Sequence, residues 1–329
     1  TLYLKHPRRW PVLGERAAFD CLTRQDVLDY HASRYVPNNV VLSIAGDVDA
    51  AEILSHLELL VEDLKSRPLN REPIPHEPHQ FGSRRVRKEF AVPYSKLHLA
   101  WRLPCSAHPD TPALSALSSI LGGGRSARFY EKFHDRLGLV YGIEVHSNQS
   151  ETDEGAFTIS MDVDRAQRDK VRDLVLQELR NLAEEDFTED LKRVCKQTRV
   201  SRLRRRSSAS GMASEMGADW FGARNLNLSS EWQEAIERVT TEDLHRVCST
   251  WLSSPNVTEV SLDPSGSNSG EEEGAASAAG TSLSEHVLGN GMKVVIREDH
   301  RLPLAYACMA FKAGCRAENE HDAGVTDLM

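Results

Sequence analysis

Two segments of this chain repeat one another, and the repeat limits the possible folds more than any other feature of the sequence. The first reads TRQDVLDYHASRYVPNNVVLSI, and the second reads TTEDLHRVCSTWLSSPNVTEVS. At one constant offset, Asp26 matches Asp243 and Asn39 matches Asn256. Each segment combines a threonine helix cap, an amphipathic helix, a Pro/Asn break and an apolar strand. The sequence therefore predicts repeated units in which a helix packs on the strand that follows it.

A second similarity within the chain adds the beginning of a third unit. The stretch RRVRKEFAVPYSKLHLAWRLP and the stretch from His286 onward both begin with alternating strands. In the later stretch, Asn290-Gly291 predicts the turn of a hairpin. In the first unit, residues 40–46 (VVLSIAG) are predicted to form a buried strand. The chain is thus expected to hold the end of one unit, one whole unit and the start of another.

Composition indicates where these units meet. The stretch RPLNREPIPHEPHQFG is rich in proline and lacks an apolar period. The stretch DPSGSNSGEEEGAASAAGTS is too polar and too small in its side chains to bury a core. We therefore predict a partial first domain, a proline-rich connector, a complete second domain, a flexible linker and a partial third domain, at residues 1–70, 71–83, 84–263, 264–283 and 284–329.

Charge and cysteine content argue against several classes of partner and site. The net charge is −9, which gives no general support to nucleic-acid binding. No run approaches the ~18 consecutive apolar residues of a membrane span. The six cysteines form no C-x-x-C pair, so neither a zinc ribbon nor a thioredoxin-like site is predicted. Without a readable targeting signal, both periplasm and cytoplasm stay open for a bacterial protein.

Three stretches resemble the pitrilysin/insulinase family of zinc metallopeptidases, which includes the processing peptidases and carries the inverted motif H-x-x-E-H. The first is HPRRWPVLG with YVPNNVVLSIAGDVD, the second is ILGGGRSARFYEKFHDRLGLVYG, and the third is LGNGMKVVIREDHRLPLAYACMAFKAG. They follow one another in the order that the family has. The chain therefore resembles an internal fragment of such a protein.

The resemblance implies an α+β fold made of repeated α/β domains, each with a mixed, mostly antiparallel sheet covered by helices. It implies two halves that close around a chamber holding a peptide. It also implies Zn²⁺ in the parent protein, held in the first domain by two histidines and a glutamate, where the metal activates water. The implied partners are peptide substrates and either the rest of the same chain or a partner subunit of the family.

The zinc motif itself is missing from this sequence, which contains neither H-x-x-E-H nor H-E-x-x-H. The nearest cluster is HEPH at residues 76–79, where prolines exclude the helix that the motif needs. In the tail, GVTDLM places Asp327 where active family members have their first metal-binding histidine. We therefore predict no catalytic or metal-binding residue in this fragment, and Asp327 as a degenerate metal position of an inactive domain.

Two other features resemble substrate-binding parts of the family. Tyr141, in HDRLGLVYG, corresponds to a tyrosine that the family pairs with an arginine seven positions earlier to donate to the substrate carbonyl. Here the earlier position is His134, which argues against an intact pair. The run Gly122, Gly123 and Gly124 is predicted to end a helix, because it lacks the Gly-Lys-Ser/Thr of a phosphate-binding loop. Tyr141, His134 and the three glycines are the candidate substrate contacts.

Two functions are compatible with these features. In the first, the chain belongs to a zinc-dependent endopeptidase that hydrolyses peptides in a closed chamber, and this fragment forms chamber wall. In the alternative, the parent is a non-catalytic structural or partner subunit of the same family. The first is favoured, because a degenerate Asp327 is expected in the second half of a protein whose first half is active. A partial first domain is also expected to expose apolar surface around residues 40–46.

Overall fold

The computed structural model of the chain divides into two units, Thr1–Ser265 and Gly266–Met329. The first unit contains a mixed five-stranded sheet packed against helices, which confirms the predicted α+β class. In the second unit, the described residues form a two-stranded hairpin. The repetition of whole domains stays a prediction. The structure describes five stretches of the chain, residues 1–69, 73–149, 154–253, 255–265 and 283–297.

Helices precede the sheet and connect its strands, and within the described residues each falls short of the length and hydrophobicity that a membrane span needs. The α-helices are α1 (Arg16–Phe19), α2 (Arg24–Arg34), α3 (Ala50–Val61), α4 (Thr111–Gly122), α5 (Arg168–Asn181), α6 (Thr188–Arg206), α7 (Ala209–Ala223), α8 (Leu228–Glu237) and α9 (Thr241–Val247). The π-helical segments are Tyr130–Arg136 and Cys248–Leu252, and the short 3₁₀ turns are Pro7–Arg9, Pro37–Asn39 and Leu182–Glu184.

The main sheet has the strand order β1-β5-β2-β4-β3. The pair β1–β5 is parallel, and the other three pairs are antiparallel. This arrangement confirms the prediction of a mixed, mostly antiparallel sheet. The strands are β1 (Arg84–Phe90), β2 (Ser95–Leu103), β3 (Val140–Asn148), β4 (Gly155–Val163) and β5 (Thr258–Pro264), with β6 (Leu283–Val287) and β7 (Lys293–Arg297) forming the separate hairpin.

Helices cover one face of the main sheet, because alternate strand residues are apolar. Leu97, Leu99 and Trp101 on β2 are almost fully buried, and their cross-strand partners Met161, Ile159 and Phe157 on β4 extend the same apolar layer. The helices contribute the other side of the core. Their buried residues include Leu114, Leu117, Ile120 and Leu121 of α4, Val171 and Val175 of α5, and Leu244 and Val247 of α9.

At β5 the covered face changes from apolar to ionic. Asp263 accepts a hydrogen bond from Ser95 at 2.7 Å and a charge-assisted hydrogen bond from Arg168. Glu259, the second residue of β5, pairs with Arg85 at 2.8 Å. These carboxylates are buried, so the pairing with arginine compensates for the water that they lose.

The prediction of a buried strand at residues 40–46 is wrong for this structure. These residues lie outside every described strand, and Val40 and Leu42 are 59% and 64% exposed. Ser43 donates to the carbonyl of Ala213 on α7 at 2.7 Å, which is a side-chain contact. An apolar run becomes a buried strand only when neighbouring strands and a covering layer supply partners. The predicted exposure of apolar surface at this segment agrees with its environment.

The helical half of the sequence repeat is confirmed at the level of single hydrogen bonds. Thr23 and Asp26 form a capping box at the start of α2, and Thr240 and Asp243 form the same box at the start of α9. In each box the threonine hydroxyl accepts from the aspartate N–H, and the aspartate carboxylate accepts from the threonine N–H. The two segments share this local helix-starting chemistry.

The predicted hairpin at Asn290-Gly291 is also confirmed. Strands β6 and β7 pair in antiparallel register from Val287↔Lys293 outward. Gly291 has a φ of 83° and donates to the carbonyl of Leu288 at 2.8 Å. A glycine tolerates this left-handed backbone without a steric penalty, which is why the Asn-Gly pair fits the turn.

Candidate functional site

The second face of the main sheet stays accessible and carries polar side chains in rows that cross the strands. One such row crosses the sheet from β3 to β1, with one residue on each strand. In that order it consists of Glu144, Ser160, His98, Val260 and Val86, and each residue is the cross-strand partner of the next. Three adjacent strands therefore present a carboxylate, a hydroxyl and an imidazole side by side. We call this surface the open face of the sheet.

Hydrogen bonds connect the polar residues of the open face. Ser160 Oγ and His98 Nδ1 lie 2.8 Å apart, and Lys96 pairs with Asp162 at 3.0 Å. Partial desolvation of the ring lowers the pKa of His98, and the Lys96 charge lowers it further, whereas Asp162 acts in the opposite direction. His98 is therefore held towards its neutral form. These residues, with Gly142 and Glu144, line a cavity of about 270 Å³.

Tyr141 lies at a β-bulge on the edge strand β3. Val140 pairs with Val163 and Gly142 pairs with Asp162, so Tyr141 is the extra residue between two consecutive pairs. Its side chain is 51% exposed, donates to Asp164 Oδ1 at 2.9 Å and packs on the ring of Tyr94 at a centroid distance of 4.2 Å. A bulge commonly re-aims a side chain near a functional site, so the local backbone supports the selection of Tyr141.

His134 is engaged within its own π-helical segment. Its Nδ1 lies 2.7 Å from Asp135 Oδ1, and its ring stacks on Tyr130 at a centroid distance of 4.4 Å. Its Nε2 lies 3.5 Å from the Tyr130 hydroxyl. The hydrogen bonds of His134 and the hydrogen bond of Tyr141 to Asp164 thus point to different partners. Among these described contacts, His134 and Tyr141 do not bond to each other. They therefore do not form a Tyr–His counterpart of the family's Tyr–Arg pair there.

The three glycines have visible structural roles at the end of α4. A Cβ on Gly122 would lie 2.5 Å from the backbone nitrogen of Val145, so glycine allows α4 to approach β3 closely. A Cβ on Gly123 would lie 2.4 Å from the Ser119 carbonyl oxygen, and Gly124 has a φ of +105°. The prediction of a helix end is confirmed. Their role as substrate contacts stays a prediction.

The HEPH cluster does not fit a metal site. The Glu77 carboxylate accepts from the backbone N–H groups of Leu4, Lys5 and His6 at 2.6, 2.8 and 2.9 Å. Burial raises the pKa of Glu77, but these three hydrogen bonds outweigh it and the net pKa is lowered. Glu77 thus anchors the N-terminal segment, and His79 packs edge-on against Phe81.

Across the part of the chain that the structure describes, no group of three or more His, Cys, Asp or Glu side chains is arranged to hold a metal ion. Among those described residues, therefore, none forms a site for the zinc that the family resemblance implies. Asp327, the predicted degenerate metal position, lies outside the described residues. Its assignment stays a prediction.

Sequence reasoning missed most of the open face. No shared surface was predicted for Lys96, His98, Ser160 and Asp162. The alternation in SKLHLAWRL and GAFTISMDV carries the signal that these polar residues share one side of a sheet. The pairing of β2 with β4, which brings these residues together, depends on long-range contacts that the sequence of a single strand does not specify. Asp164 was missed because it follows β4 and pairs with a residue on another strand.

Comparisons with known proteins agree with this fold. The chain is 24% identical over 275 residues to the zinc protease PqqE of Helicobacter pylori, covering 80% of this chain and 60% of that protein. A crystal structure of a peptidase M16 inactive domain from Pseudomonas fluorescens matches with a TM-score of 0.71 and 21% identity, covering 80% of this chain and 63% of that one. A chain in Complex III2 from Candida albicans matches with a TM-score of 0.63 and 15% identity, covering 79% and 64%.

The family match spans more than half of the chain. A sequence model of the peptidase M16 inactive domain matches residues 22–197, a range that includes β2, β3, β4 and Tyr141. The chain spans about three fifths of the length of the curated relatives that it matches first. The predicted resemblance to the pitrilysin group is confirmed: the chain belongs to the peptidase M16 family and matches its inactive domain.

Proposed function

We propose that this chain is a non-catalytic part of a zinc-dependent endopeptidase and that it binds peptide on the open face of its sheet. The observation that carries the proposal is the open face itself, a polar and accessible surface bordered by the bulged Tyr141. The name of the H. pylori relative, a zinc protease, supports the activity of the parent protein. The zinc and its ligands are proposed to belong to another domain of that parent.

The chemistry of the open face suits an extended peptide better than a small apolar ligand. Lys96, Glu144 and Ser160 offer donors and acceptors at neighbouring positions across three strands. Peptide backbones present N–H and C=O groups in alternation, so a surface of mixed donors and acceptors can bind them with limited dependence on sequence. The neutral His98 adds a group that can donate or accept, depending on its tautomer. This face would form one wall of a peptide-holding chamber.

A peptide-binding experiment with a matched pair of variants tests the proposal. Ser160→Arg places a long side chain in the middle of the open face, whereas Ser249→Arg places the same side chain at an exposed position of the π-helical segment Cys248–Leu252. The probe is a dye-labelled, unstructured peptide of mixed composition, followed by fluorescence anisotropy. We expect Ser160→Arg to weaken binding by about tenfold or more, a change of ~1.4 kcal/mol, and Ser249→Arg to leave it unchanged. Equal affinities of the two variants would contradict binding on the open face.

The assignment of zinc to another part of the parent has a separate test. The 329-residue chain is expected to hydrolyse no peptide, and the parent protein is expected to contain zinc and to lose peptide cleavage with a chelator. Zinc bound stoichiometrically by this chain, together with chelator-sensitive cleavage, would overturn the non-catalytic assignment.

The alternative function is a structural subunit of a larger assembly. The fold that the chain shares with a chain of Complex III2 supports this alternative, since that chain is part of an assembly. It predicts that the parent forms a stable complex with a partner and that the wild-type open face shows no peptide binding. Size-exclusion chromatography of the parent, combined with the anisotropy measurement, separates the two functions.

A further inference from the structure

We infer that a cavity among the helices of the first unit binds a free aromatic α-amino acid. The cavity has a volume of about 400 Å³, and the described residues that line it come from α6, α7, α8 and the end of α4. This volume lies in the range of small-molecule sites. Because these lining residues belong to helices and to a helix end, the cavity is separate from the open face of the sheet. The inference therefore goes beyond the proposed function.

Two buried acceptors at this cavity lack a donor. Glu215 of α7 and Gln233 of α8 are each 8% exposed, and both line the cavity. Within the part of the chain that the structure describes, Glu215 Oε2 and Gln233 Oε1 have no hydrogen-bond partner. A buried acceptor without a donor is costly, so a ligand that brings N–H donors is favoured here. The carboxyl end of α4 also reaches the cavity at Gly123, and its partial negative charge favours a cationic donor.

Arginines supply the opposite charge at the same cavity. Arg202 is engaged, because its Nη2 donates to Glu215 Oε1 at 3.0 Å and to Ser230 Oγ at 2.7 Å. Arg205 follows about one turn later on α6 and also lines the cavity. Among the described residues, no hydrogen bond or ion pair engages the Arg205 guanidinium. Since Glu215 already compensates Arg202, the charge of Arg205 is available to an anionic group of a ligand.

A zwitterion fits this combination better than an ion of one sign. A simple anion would pair with Arg205 but leave both buried acceptors without donors. A simple cation would place a like charge beside two arginines. An α-amino acid carries both groups that are needed, an ammonium that only donates and a carboxylate that arginine binds well. Trp232, the partly buried neighbour of Gln233 in the chain, lines the cavity and offers its ring to an aromatic side chain.

The test is isothermal titration calorimetry of the full 329-residue chain with L-phenylalanine and two analogues. Phenethylamine lacks the carboxylate, and 3-phenylpropionate lacks the ammonium. We expect L-phenylalanine to bind and each analogue to bind about tenfold more weakly or worse, because each loses hydrogen bonds to a charged group. No binding of L-phenylalanine would overturn the inference. Equal affinities for L-phenylalanine and 3-phenylpropionate would also overturn it, because the cavity would then bind any aromatic anion.

A matched pair of arginine variants locates the carboxylate. Arg205→Ala removes the guanidinium that lines the cavity, whereas Arg204→Ala removes its exposed neighbour, which does not line it. Arg205→Ala is expected to weaken L-phenylalanine binding about tenfold or more and to leave phenethylamine binding unchanged, since phenethylamine has no carboxylate to lose a partner. Arg204→Ala is expected to change neither. Equal losses of L-phenylalanine binding in the two variants would mean that only the overall charge of α6 matters, and the site would be refuted.

A third variant locates the ammonium. Gln233→Met removes the buried amide oxygen at similar volume, and is expected to weaken L-phenylalanine but not 3-phenylpropionate. An unchanged affinity for L-phenylalanine, in a variant whose circular dichroism matches wild type, would contradict the assigned acceptor. If Gln233→Met fails to fold, the comparison of the two analogues on the wild-type chain decides the same point. Ser160→Arg, on the open face, is expected to leave L-phenylalanine binding intact, so failure of the proposed peptide binding and failure of this inference are distinguishable.

Discussion

At the scale of single residues, the buried ion pair between Arg168 and Asp263 ties α5 to β5. Their side chains are 9% and 7% exposed, and Ser95 on β2 donates to the same carboxylate at 2.7 Å. One carboxylate thus links a helix to two strands. Removing Asp263 leaves the buried Arg168 with the weaker partner Asp169, whose side chain is 49% exposed, and breaking a buried pair costs more than the pair itself contributes.

We therefore predict that Asp263→Asn lowers the free energy of unfolding by about 3 kcal/mol or more at pH 7. The surface pair Arg238–Glu234, with side chains 73% and 63% exposed, supplies the control, because Glu234→Gln should cost less than about 1 kcal/mol. Urea unfolding followed by circular dichroism measures both. Similar losses in the two variants would mean that burial does not set the strength of the Asp263 interaction.

The same pair predicts a dependence on pH. Burial raises the pKa of Asp263, but the hydrogen bonds from Ser95 and Arg168 outweigh it, so the net pKa is lowered on folding. A lowered pKa means that the stabilisation is present above the unfolded value of about 3.9 and is lost as the pH falls through the folded value. The stability difference between wild type and Asp263→Asn should therefore shrink when urea unfolding is repeated near pH 3. A difference that stays constant from pH 7 to pH 3 would contradict the charge-based account.

At the scale of elements, the two copies of the sequence repeat show that a local pattern predicts helix caps but does not predict which apolar segment becomes a strand. The two capping boxes at Thr23 and Thr240 were predictable, because each depends on residues within four positions of one another. The strands that follow were predicted alike, yet Thr258–Pro264 is β5 and residues 40–46 form no described strand. β5 is a strand because β1 and β2 flank it. Such partners come from distant parts of the chain, so the local pattern does not specify them.

The equivalent caps should differ in their effect on global stability. In α9, Leu244 and Val247 are buried, whereas every side chain of α2 stays at least partly exposed. Loss of a threonine cap costs about 1 kcal/mol of helix stability. Thr240→Ala should lower the free energy of unfolding by about that amount, and Thr23→Ala should leave it within ~0.3 kcal/mol, because α2 can fray without opening the core.

Hydrogen exchange provides the local control for this comparison. Thr23→Ala should speed amide exchange in the first turn of α2 even where global unfolding is unchanged. If Thr23→Ala lowers global stability as much as Thr240→Ala, then α2 belongs to the same cooperative unit as the sheet. The weak coupling inferred from its exposure would then be wrong.

At the scale of the whole molecule, the core is concentrated in one part of the chain. Among the described residues, the buried apolar side chains run from Leu97 to Leu252, with Val36 as the exception. The helices before the sheet instead expose large apolar residues, such as Leu59 and Leu60 at 72% and 78%. The boundary that composition predicts at the proline-rich connector, where an apolar period is lacking, stays a prediction. The pairing of β1 with β5 across the length of the domain was not predictable, because parallel strands need a long crossover whose partners local sequence does not identify.

This distribution predicts the pattern of limited proteolysis. Cleavage requires local opening, and opening costs least where few apolar contacts are lost. Brief digestion with a protease of low specificity should first cut within residues 1–83 and within residues 264–283, where composition predicts a linker, leaving a fragment that spans β1 to β5. Mass spectrometry locates its ends, and circular dichroism of the purified fragment should retain the sheet signal, because the core described above lies inside it. If residues 1–61 resist cleavage for as long as β2 and β4 do, the exposed helices are held by contacts as strong as those of the sheet. That result would refute the unequal distribution of stability proposed for this chain.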